Sequence, residues 1–275
     1  MKSFHRRSSR PAAERPTAPA TIPRGLPRAD QLLVQQGLAA SRTAARVLIE
    51  AGRVRADGVA VGKPAQELPD SAVLTVTPDA ADRYVSRGGL KLAGALAASG
   101  LDPAGRICLD VGQSTGGFTD CLLQAGAARV VGVEVGHGQL HPRLAGETRN
   151  TTLEGLNARH LAATDLGEHL PPGGFGLIVC DASFISLTLL LPQWPALLAA
   201  GGDILALVKP QFEVGPQGLA KGGIVRDTRL YGEVERKLRA AAQSCALAVH
   251  GWYDSPITGT DGNHEFFIRM RHAQD

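Results

Sequence analysis

The chain has 275 residues, a formal net charge of +3, 33 glycines, 17 prolines and only 4% aromatic residues, which admits one large domain or a large and a small one and suits an α/β protein better than an all-β sandwich. The charge is uneven, with six Lys or Arg against one Glu in residues 1–27 and a slightly acidic remainder, so net charge is a weak argument for a nucleic-acid partner. No stretch approaches the roughly 20 uninterrupted apolar residues of a membrane span.

Residues 1–27 are rich in Arg, Pro, Ser and Ala and lack the apolar core of a secretory signal, so a disordered basic tail is expected. From Arg28 the pattern becomes compact. It predicts a helix over Ala29 to Gln36, a break at Gly37, and a second helix over Ser41 to Glu50, capped by Ser41 and ended by Gly52. Short extended pieces follow at 53–55, 59–61 and 73–76, with Ala56-Asp57-Gly58 as a tight turn.

This segment, 28–80, resembles the small RNA-binding domain first seen in ribosomal protein S4. The features that carry the resemblance are Arg28-Ala29-Asp30, Gly37-Leu38, Ser41-Arg42 and the hairpin run Gly52 to Gly58. The resemblance implies that Arg28, Arg42, Arg46, Arg53 and Arg55 meet RNA phosphates. From the residues alone, arginines on such a module are equally a solvated face, because the segment carries about as many acids as bases.

Residues 77–88 read as a linker into Ser86-Arg87-Gly88-Gly89-Leu90-Lys91-Leu92, with a helix continuing to about Ser99. Beyond it, apolar runs at 106–111, 129–134, 148–154, 176–181, 203–208, 244–250 and 265–270 alternate with helical stretches, including a helix at about Ile185 to Ala200. Seven strands with intervening helices predict a doubly wound, Rossmann-like sheet over 81–272. The four cysteines, Cys108, Cys121, Cys180 and Cys245, lie in apolar surroundings without a C-x-x-C pair. They read as buried thiols in a reducing compartment, with a cytoplasmic location expected.

The first of these strands feeds Asp110-Val111-Gly112-Gln113-Ser114-Thr115-Gly116-Gly117-Phe118. Glycines let the backbone pass close to a bound molecule, and free amides at the following helix start favour negative groups. The second strand ends at Glu134, placed to accept the ribose hydroxyls of an adenosine, and Asn157 after the third could face an adenine. A Walker loop is excluded because no Lys-Ser/Thr follows at the required spacing, and G-x-G-x-x-G is not met. Gly112 to Gly116 does satisfy the G-x-S-x-G elbow of serine hydrolases. S-adenosylmethionine fits the whole set better, with Asp110, Gly112, Gln113, Ser114, Thr115, Gly116, Gly117, Phe118, Glu134, Asn157 and Asp181 as its contacts.

Together the two halves resemble the hemolysin A or TlyA family of ribosomal RNA 2′-O-ribose methyltransferases, whose catalytic domain is like that of the FtsJ methyltransferases. The motifs are Tyr84 to Leu92 (YVSRGGLKL), Leu109 to Cys121 (LDVGQSTGGFTDC), Asp181 to Leu187 (DASFISL), Val208 to Gly215 (VKPQFEVG) and Gly262 to Phe266 (GNHEF). The resemblance implies a class I methyltransferase domain behind an S4-like domain. It implies the catalytic set Lys91, Asp181, Lys209 and Glu265, and ribosomal RNA in ribosomal subunits as partner, with cytidine of 16S or 23S RNA or both as target. Departures stand at Gln113, Glu134 and His137, where alanine, aspartate and tyrosine are common.

A ribose hydroxyl is a poor nucleophile at neutral pH, so a base must take its proton as the new bond forms. Lys209 is assigned that role, with Lys91 stabilising the developing alkoxide and the two acids holding the amines. No metal is expected, because Gly262 to Glu265 lacks the H-E-x-x-H spacing. Arg87 and the glycine-rich 215–227 segment, with Lys221 and Arg226, read as RNA-facing, the latter as a mobile loop over the crevice, and a flipped-out nucleotide is expected. Two other readings are disfavoured: a non-catalytic RNA-binding assembly factor, because binding alone does not require two acids facing a polyanion, and a membrane-lytic protein, because the longest apolar candidate, about Ile185 to Ala200, is interrupted by Pro192 and Pro195. The sequence sets no oligomeric state.

Overall fold

The computed structural model describes residues 26–39 and 41–275, so nearly all of the expected basic tail lies outside the described residues. The chain divides into two compact units, Met1–Pro78 and Asp79–Asp275.

In the first unit, helices α1 (Ala29–Gln35) and α2 (Arg42–Glu50) precede strands β1 (Val54–Ala56), β2 (Val59–Ala60) and β3 (Leu74–Val76), which form an antiparallel sheet in the order β2-β1-β3. The Ser41 hydroxyl accepts a hydrogen bond from the Ala44 amide at 3.2 Å, so α2 starts where a serine cap should start it. Asp57 and Gly58 both have positive φ, 48° and 82°, the geometry of a two-residue hairpin turn matched to strand twist. Leu32, Leu33, Ala45, Ile49, Val54, Val61 and Leu74 form this unit's own core.

The second unit opens with α3 (Gly88–Ser99). It continues through β4 (Ile107–Val111), α4 (Gly117–Gln124), β5 (Arg129–Glu134), α5 (Pro142–Ala145), β6 (Asn150–Glu154), α6 (Ala163–Leu166), β7 (Phe175–Cys180), β8 (Leu198–Val208), α7 (Arg229–Ser244), β9 (Leu247–Asp254) and β10 (Phe266–His272). The seven strands lie in the order β6-β5-β4-β7-β8-β10-β9. β6 to β8 are parallel, and β10 inserts antiparallel between β8 and β9. The doubly wound α/β fold is therefore as the alternation predicts. Central strands read as unbroken apolar runs because both faces are covered. Leu109, Val111, Ile178 and Ala206 face one side, where Leu238 and Ala242 of α7 pack. Cys108, Val130, Leu177 and Leu205 face the other, against Leu92 and Ala95 of α3 and Cys121 and Leu122 of α4. Burial pushes the Cys108, Cys121 and Cys180 thiols up to about 12, as expected of inert core thiols.

Three expectations are corrected. The helix at 185–200 is absent. In its place are two single 3-10 turns, Leu187–Leu189 and Leu191–Gln193, and the start of β8. Pro192 and Pro195 remove amide donors and clash with the preceding turn, while Leu190, Leu191, Trp194 and Leu197 are still buried. β8 begins five residues early because it carries a bulge: Phe175 pairs with Leu198 and Leu177 with Asp203, the surplus passing through Gly201 at φ +69°. β9 runs over 247–254 rather than 244–250, since α7 continues to Ser244.

Candidate active site

Chain order takes β4 to β5 and β6 on one side and then returns to β7 on the other, so the carboxyl ends of β4 and β7 flank a topological switch point, where ligands of open α/β sheets bind. A crevice of about 1050 Å³ opens there. The turn leaving β4 has positive φ at Gly112 (81°), Ser114 (49°) and Gly116 (90°). A Cβ on Gly112 would lie 3.1 Å from the Asp181 carbonyl oxygen, and one on Gly117 would collide with the Ser86 hydroxyl. These glycines keep three backbones in contact around the crevice: the turn, the end of β7 and the start of α3. The first amides of α4 have no intrahelical acceptor. A backbone cradle beside unsatisfied donors, in a cavity of this volume, suits the carboxylate-bearing nucleoside expected from the sequence.

Beneath the turn lies a buried polar chain. Asp110 is fully buried, accepts the Thr119 hydroxyl at 2.7 Å through Oδ2, and has no partner for Oδ1. Burial pushes its carboxyl up to about 7, against the pull of Thr119. The Gln113 amide donates to Thr119 Oγ1 at 2.8 Å and to Asn150 Oδ1 at 3.0 Å, and its side chain covers Gly132. Asp110 thus supports the turn from below and does not itself line the crevice. Glu134 accepts the Ser114 amide at 2.9 Å and the Gly136 amide at 2.8 Å, one on each carboxylate oxygen. It ties the turn to β5; Oε1 also accepts the Gln139 side-chain amide at 3.5 Å, and Oε2 keeps a lone pair for a hydroxyl donor. The Asn157 side chain caps a 3-10 turn by accepting the Arg159 amide at 3.0 Å, and neither Asn157 nor Glu134 lines the crevice.

Four charged side chains from four chain segments meet in this crevice. Lys209, one residue past β8, places Nζ 2.6 Å from Asp181 Oδ1 and donates to the Ser183 hydroxyl at 2.7 Å. Lys91, in the first turn of α3, places Nζ 2.5 Å from Glu265 Oε2, with the two side chains only 10% and 2% exposed. Glu265 immediately precedes β10, and the antiparallel register that sets Phe266 beside Val208 brings it to the same sheet edge as Lys209. Burial raises the Glu265 carboxyl above its ordinary range, opposed by Lys91 and Lys209. The result is two lysine–carboxylate pairs side by side, able to hold a hydroxyl group between an amine and a fixed positive charge.

Arg87, Ser114, Thr115, Gly117 and Phe118 also line the crevice, and Arg87 donates to the Thr258 carbonyl at 3.1 Å. Ser183, Gln211, Thr260 and Asp261 line it as well, though sequence reasoning passed over them; Ser183 lies within the Asp181 to Leu187 motif and Gln211 within Val208 to Gly215. So does Phe184, 91% exposed and at φ +62°, with its ring 5.3 Å from that of Phe212. The 215–227 segment is tied down more firmly than its composition suggests. Buried Asn263 accepts the Val225 amide at 2.9 Å and donates to the Gly223 carbonyl at 3.0 Å, and Ala220 bridges Ile224.

In the first unit, Arg28 and Arg42 both bind Asp30, Arg46 pairs with Glu50 at 2.7 Å, Arg53 donates to the Thr77 carbonyl, and Arg55 to the Gly58 carbonyl. Each has a partner within the unit. The Arg28, Arg42 and Arg46 side chains keep 41%, 57% and 67% of their surface exposed.

The FtsJ-like methyltransferase family matches residues 84–272, and the S4 domain family matches residues 27–74. The 16S/23S rRNA (cytidine-2′-O)-methyltransferase TlyA of Mycobacterium tuberculosis is 44% identical over 248 residues, 90% of this chain and 91% of that protein. Hemolysin A of Brachyspira hyodysenteriae is 36% identical, covering 88% of this chain and 99% of its own length. A solved structure from Streptococcus thermophilus whose name carries the word hemolysin superposes with a TM-score of 0.71 at 38% identity, over 91% of this chain and 90% of the other. With sequence, fold and domain pairing in agreement, the chain belongs to the FtsJ-like methyltransferases, in the TlyA and hemolysin A group that carries an S4 domain ahead of the methyltransferase fold.

Proposed function

We propose that this protein methylates the 2′ oxygen of a cytidine ribose in 16S RNA, 23S RNA or both, acting on ribosomal subunits in the cytoplasm with S-adenosylmethionine as methyl donor. The observation that carries the reading is the pair of lysine–carboxylate contacts, Lys209 with Asp181 and Lys91 with Glu265, in one crevice with the glycine turn. When bound, S-adenosylmethionine supplies an electrophilic methyl carbon on a positively charged sulfur. The residues that would hold it are Gly112 to Phe118, with Glu134 behind them and Asp181 at the far wall.

Lys209 Nζ, acting as the free amine, takes the proton of the 2′ hydroxyl as the oxygen–carbon bond forms and becomes the ammonium paired with Asp181. Asp181 and Ser183 fix that nitrogen at 2.6 and 2.7 Å, so the base is oriented before substrate arrives. Lys91, held by Glu265, stabilises negative charge developing on the oxygen in a site largely shielded from water. Arg28, Arg42, Arg46, Arg53, Arg55 and Arg87 supply phosphate contacts that position the RNA.

Binding a polyanion alone would not call for two carboxylates facing the bound chain, which favours catalysis over a purely binding role. Lysis of membranes finds no support among the described residues, where no helix is long and apolar enough to cross a bilayer.

The test is tritiated methyl transfer to isolated 30S and 50S subunits lacking the modification, with wild type against Lys209→Ala and the product mapped by a ribose-methylation stop assay. Loss of the general base should lower kcat by about 10²- to 10⁴-fold while S-adenosylmethionine still binds. Full activity of Lys209→Ala would remove Lys209 as the base. Absence of transfer by a wild type that binds the cofactor would replace the reading with the non-catalytic one.

A further inference from the structure

Glu213 stands four residues beyond Lys209, just past the 3-10 turn Pro210–Phe212 that Lys209 precedes. It takes no part in the two charged pairs of the crevice, yet its carboxylate is 1% exposed and is met by three donors. The Ser186 hydroxyl donates to Oε2 at 2.6 Å, the Leu187 amide to Oε1 at 2.7 Å, and Lys237 Nζ to Oε2 at 2.7 Å. Lys237 comes from α7 and also donates to the Glu213 carbonyl oxygen at 2.9 Å. Three segments therefore converge on one carboxylate: the loop after β7, the turn after β8 and helix α7.

The loop after β7 is the one that presents Asp181 and Ser183 to Lys209. Its start is fixed to the sheet, where the Asp181 amide donates to the Val111 carbonyl at 3.0 Å. It then passes through Phe184 at φ +62°, a backbone conformation that bulky side chains rarely adopt. Such a turn persists only where its far end is held as well, and Ser186 and Leu187, bound by Glu213, are that far end. A closed circuit results. It runs from Asp181 along the loop to Ser186, across to Glu213, back through the turn to Lys209, and across again to Asp181 at 2.6 Å.

We infer that Glu213 is a positioning residue for the methyl transfer, a buried brace that locks the loop bearing Asp181 and Ser183 to the turn bearing Lys209 and thereby fixes the direction of the Lys209 amine. The inference rests on the role proposed above for Lys209. A carboxylate is suited to the place because it accepts from all three donors and donates to none. Glutamine has nearly the same shape but turns one acceptor into a donor that must oppose Ser186 and Lys237 or the Leu187 amide. Lys237 balances the buried charge while its own side chain stays 41% exposed.

The full chain is assayed for tritiated methyl transfer to unmodified 30S and 50S subunits, with kcat, KM for subunits and Kd for S-adenosylmethionine measured separately for Glu213→Gln. The expected result is a fall in kcat of roughly 10- to 100-fold, the cost of misplacing a reacting group by up to about an ångström, with KM and Kd within about threefold of wild type. Glu235→Gln, whose side chain pairs with Arg239 along α7 and makes no contact with Glu213, should match wild type. Ser186→Ala removes one of the three contacts and keeps the proposal testable if Glu213→Gln folds poorly; it should lower kcat in the same direction and by less.

A folded Glu213→Gln with wild-type kcat would overturn the proposal. So would a loss confined to KM, to cofactor affinity or to the folded fraction, because a merely structural brace would move those and leave kcat per folded molecule alone. Lys209→Ala run alongside separates the two claims. If it is inactive while Glu213→Gln and Ser186→Ala are fully active, only the brace fails. If it is fully active, the role of Lys209 fails and the brace with it.

Discussion

Arg46 with Glu50 on α2, and Lys91 with Glu265 in the crevice, are both cation–carboxylate contacts, at 2.7 and 2.5 Å. Their surroundings differ. The first pair is 67% and 53% exposed and the second 10% and 2%. An exposed i,i+4 pair contributes about 0.3–0.5 kcal/mol and is screened by salt. Arg46 can therefore exchange Glu50 for another anion at little cost, which is what a surface that receives a phosphate backbone requires. A buried pair gains little net stability over apolar packing, but removal of one partner strands a charge. The crevice pair is suited to holding geometry and the surface pair to exchanging partners, one chemical contact in two surroundings.

The contrast can be broken most forcefully at Lys91. Lys91→Met leaves Glu265 buried and unpaired, and should cost about 3 kcal/mol or more at pH 8, together with most of the methyl transfer. Glu265 is already raised above its ordinary range in the intact protein, and loss of Lys91 raises it further. The stability a raised carboxyl contributes is full below its unfolded value and lost as pH rises through the folded one. The deficit of the variant should therefore shrink toward acid pH. Urea unfolding of both proteins between pH 5 and 8 checks this, and a deficit that is small at pH 8 or flat with pH would place the pair in effective contact with water.

Asp110, by contrast, is a buried carboxyl with no cation among the groups that act on it. Its carboxyl is pushed up to about 7 by burial, so its contribution is present below about pH 4 and lost as pH rises through about 7. Asp110→Asn removes that titration. Wild type should lose Tm relative to the variant as pH goes from 5 to 8, and two Tm curves that run parallel would mean that Asp110 ionises freely. The smallest effect belongs to the surface pair. Arg46→Ala should alter stability by less than about 0.5 kcal/mol, yet lower affinity for ribosomal subunits and reduce the steepness of its salt dependence by about one phosphate contact. Unchanged salt dependence would turn that face of α2 away from RNA.

The sequence reveals most where strand ends define geometry. Asp181 and Lys209 follow β7 and β8 directly, so the apolar runs alone bring them to one edge of the sheet. Lys91 and Glu265 converge there through α3 and an antiparallel strand, an arrangement that periodicity does not contain; only the motif resemblance pointed to it. The segment at 185–200 misleads because its leucines and Trp194 are buried at helix-like intervals while two prolines forbid the helix. Glu134 and Asn157 show a different limit. Their side chains already satisfy nearby amides, and such local hydrogen bonds leave no trace in hydrophobic spacing. The pairing pattern itself, which lysine takes which acid, is a matter of ångströms and emerges only from the folded chain.

The placement of β10 bears on how the protein comes into being. Because residues 266–272 slot between β8 and β9, and Glu265 arrives with them, no nascent fragment ending before that strand can possess either the complete central sheet or a paired Lys91. Contacts of such long sequence separation form late and slowly. During its own synthesis the chain leaves the ribosome with its crevice unassembled, and the site that the FtsJ-like fold builds is completed only once β10 has left the tunnel.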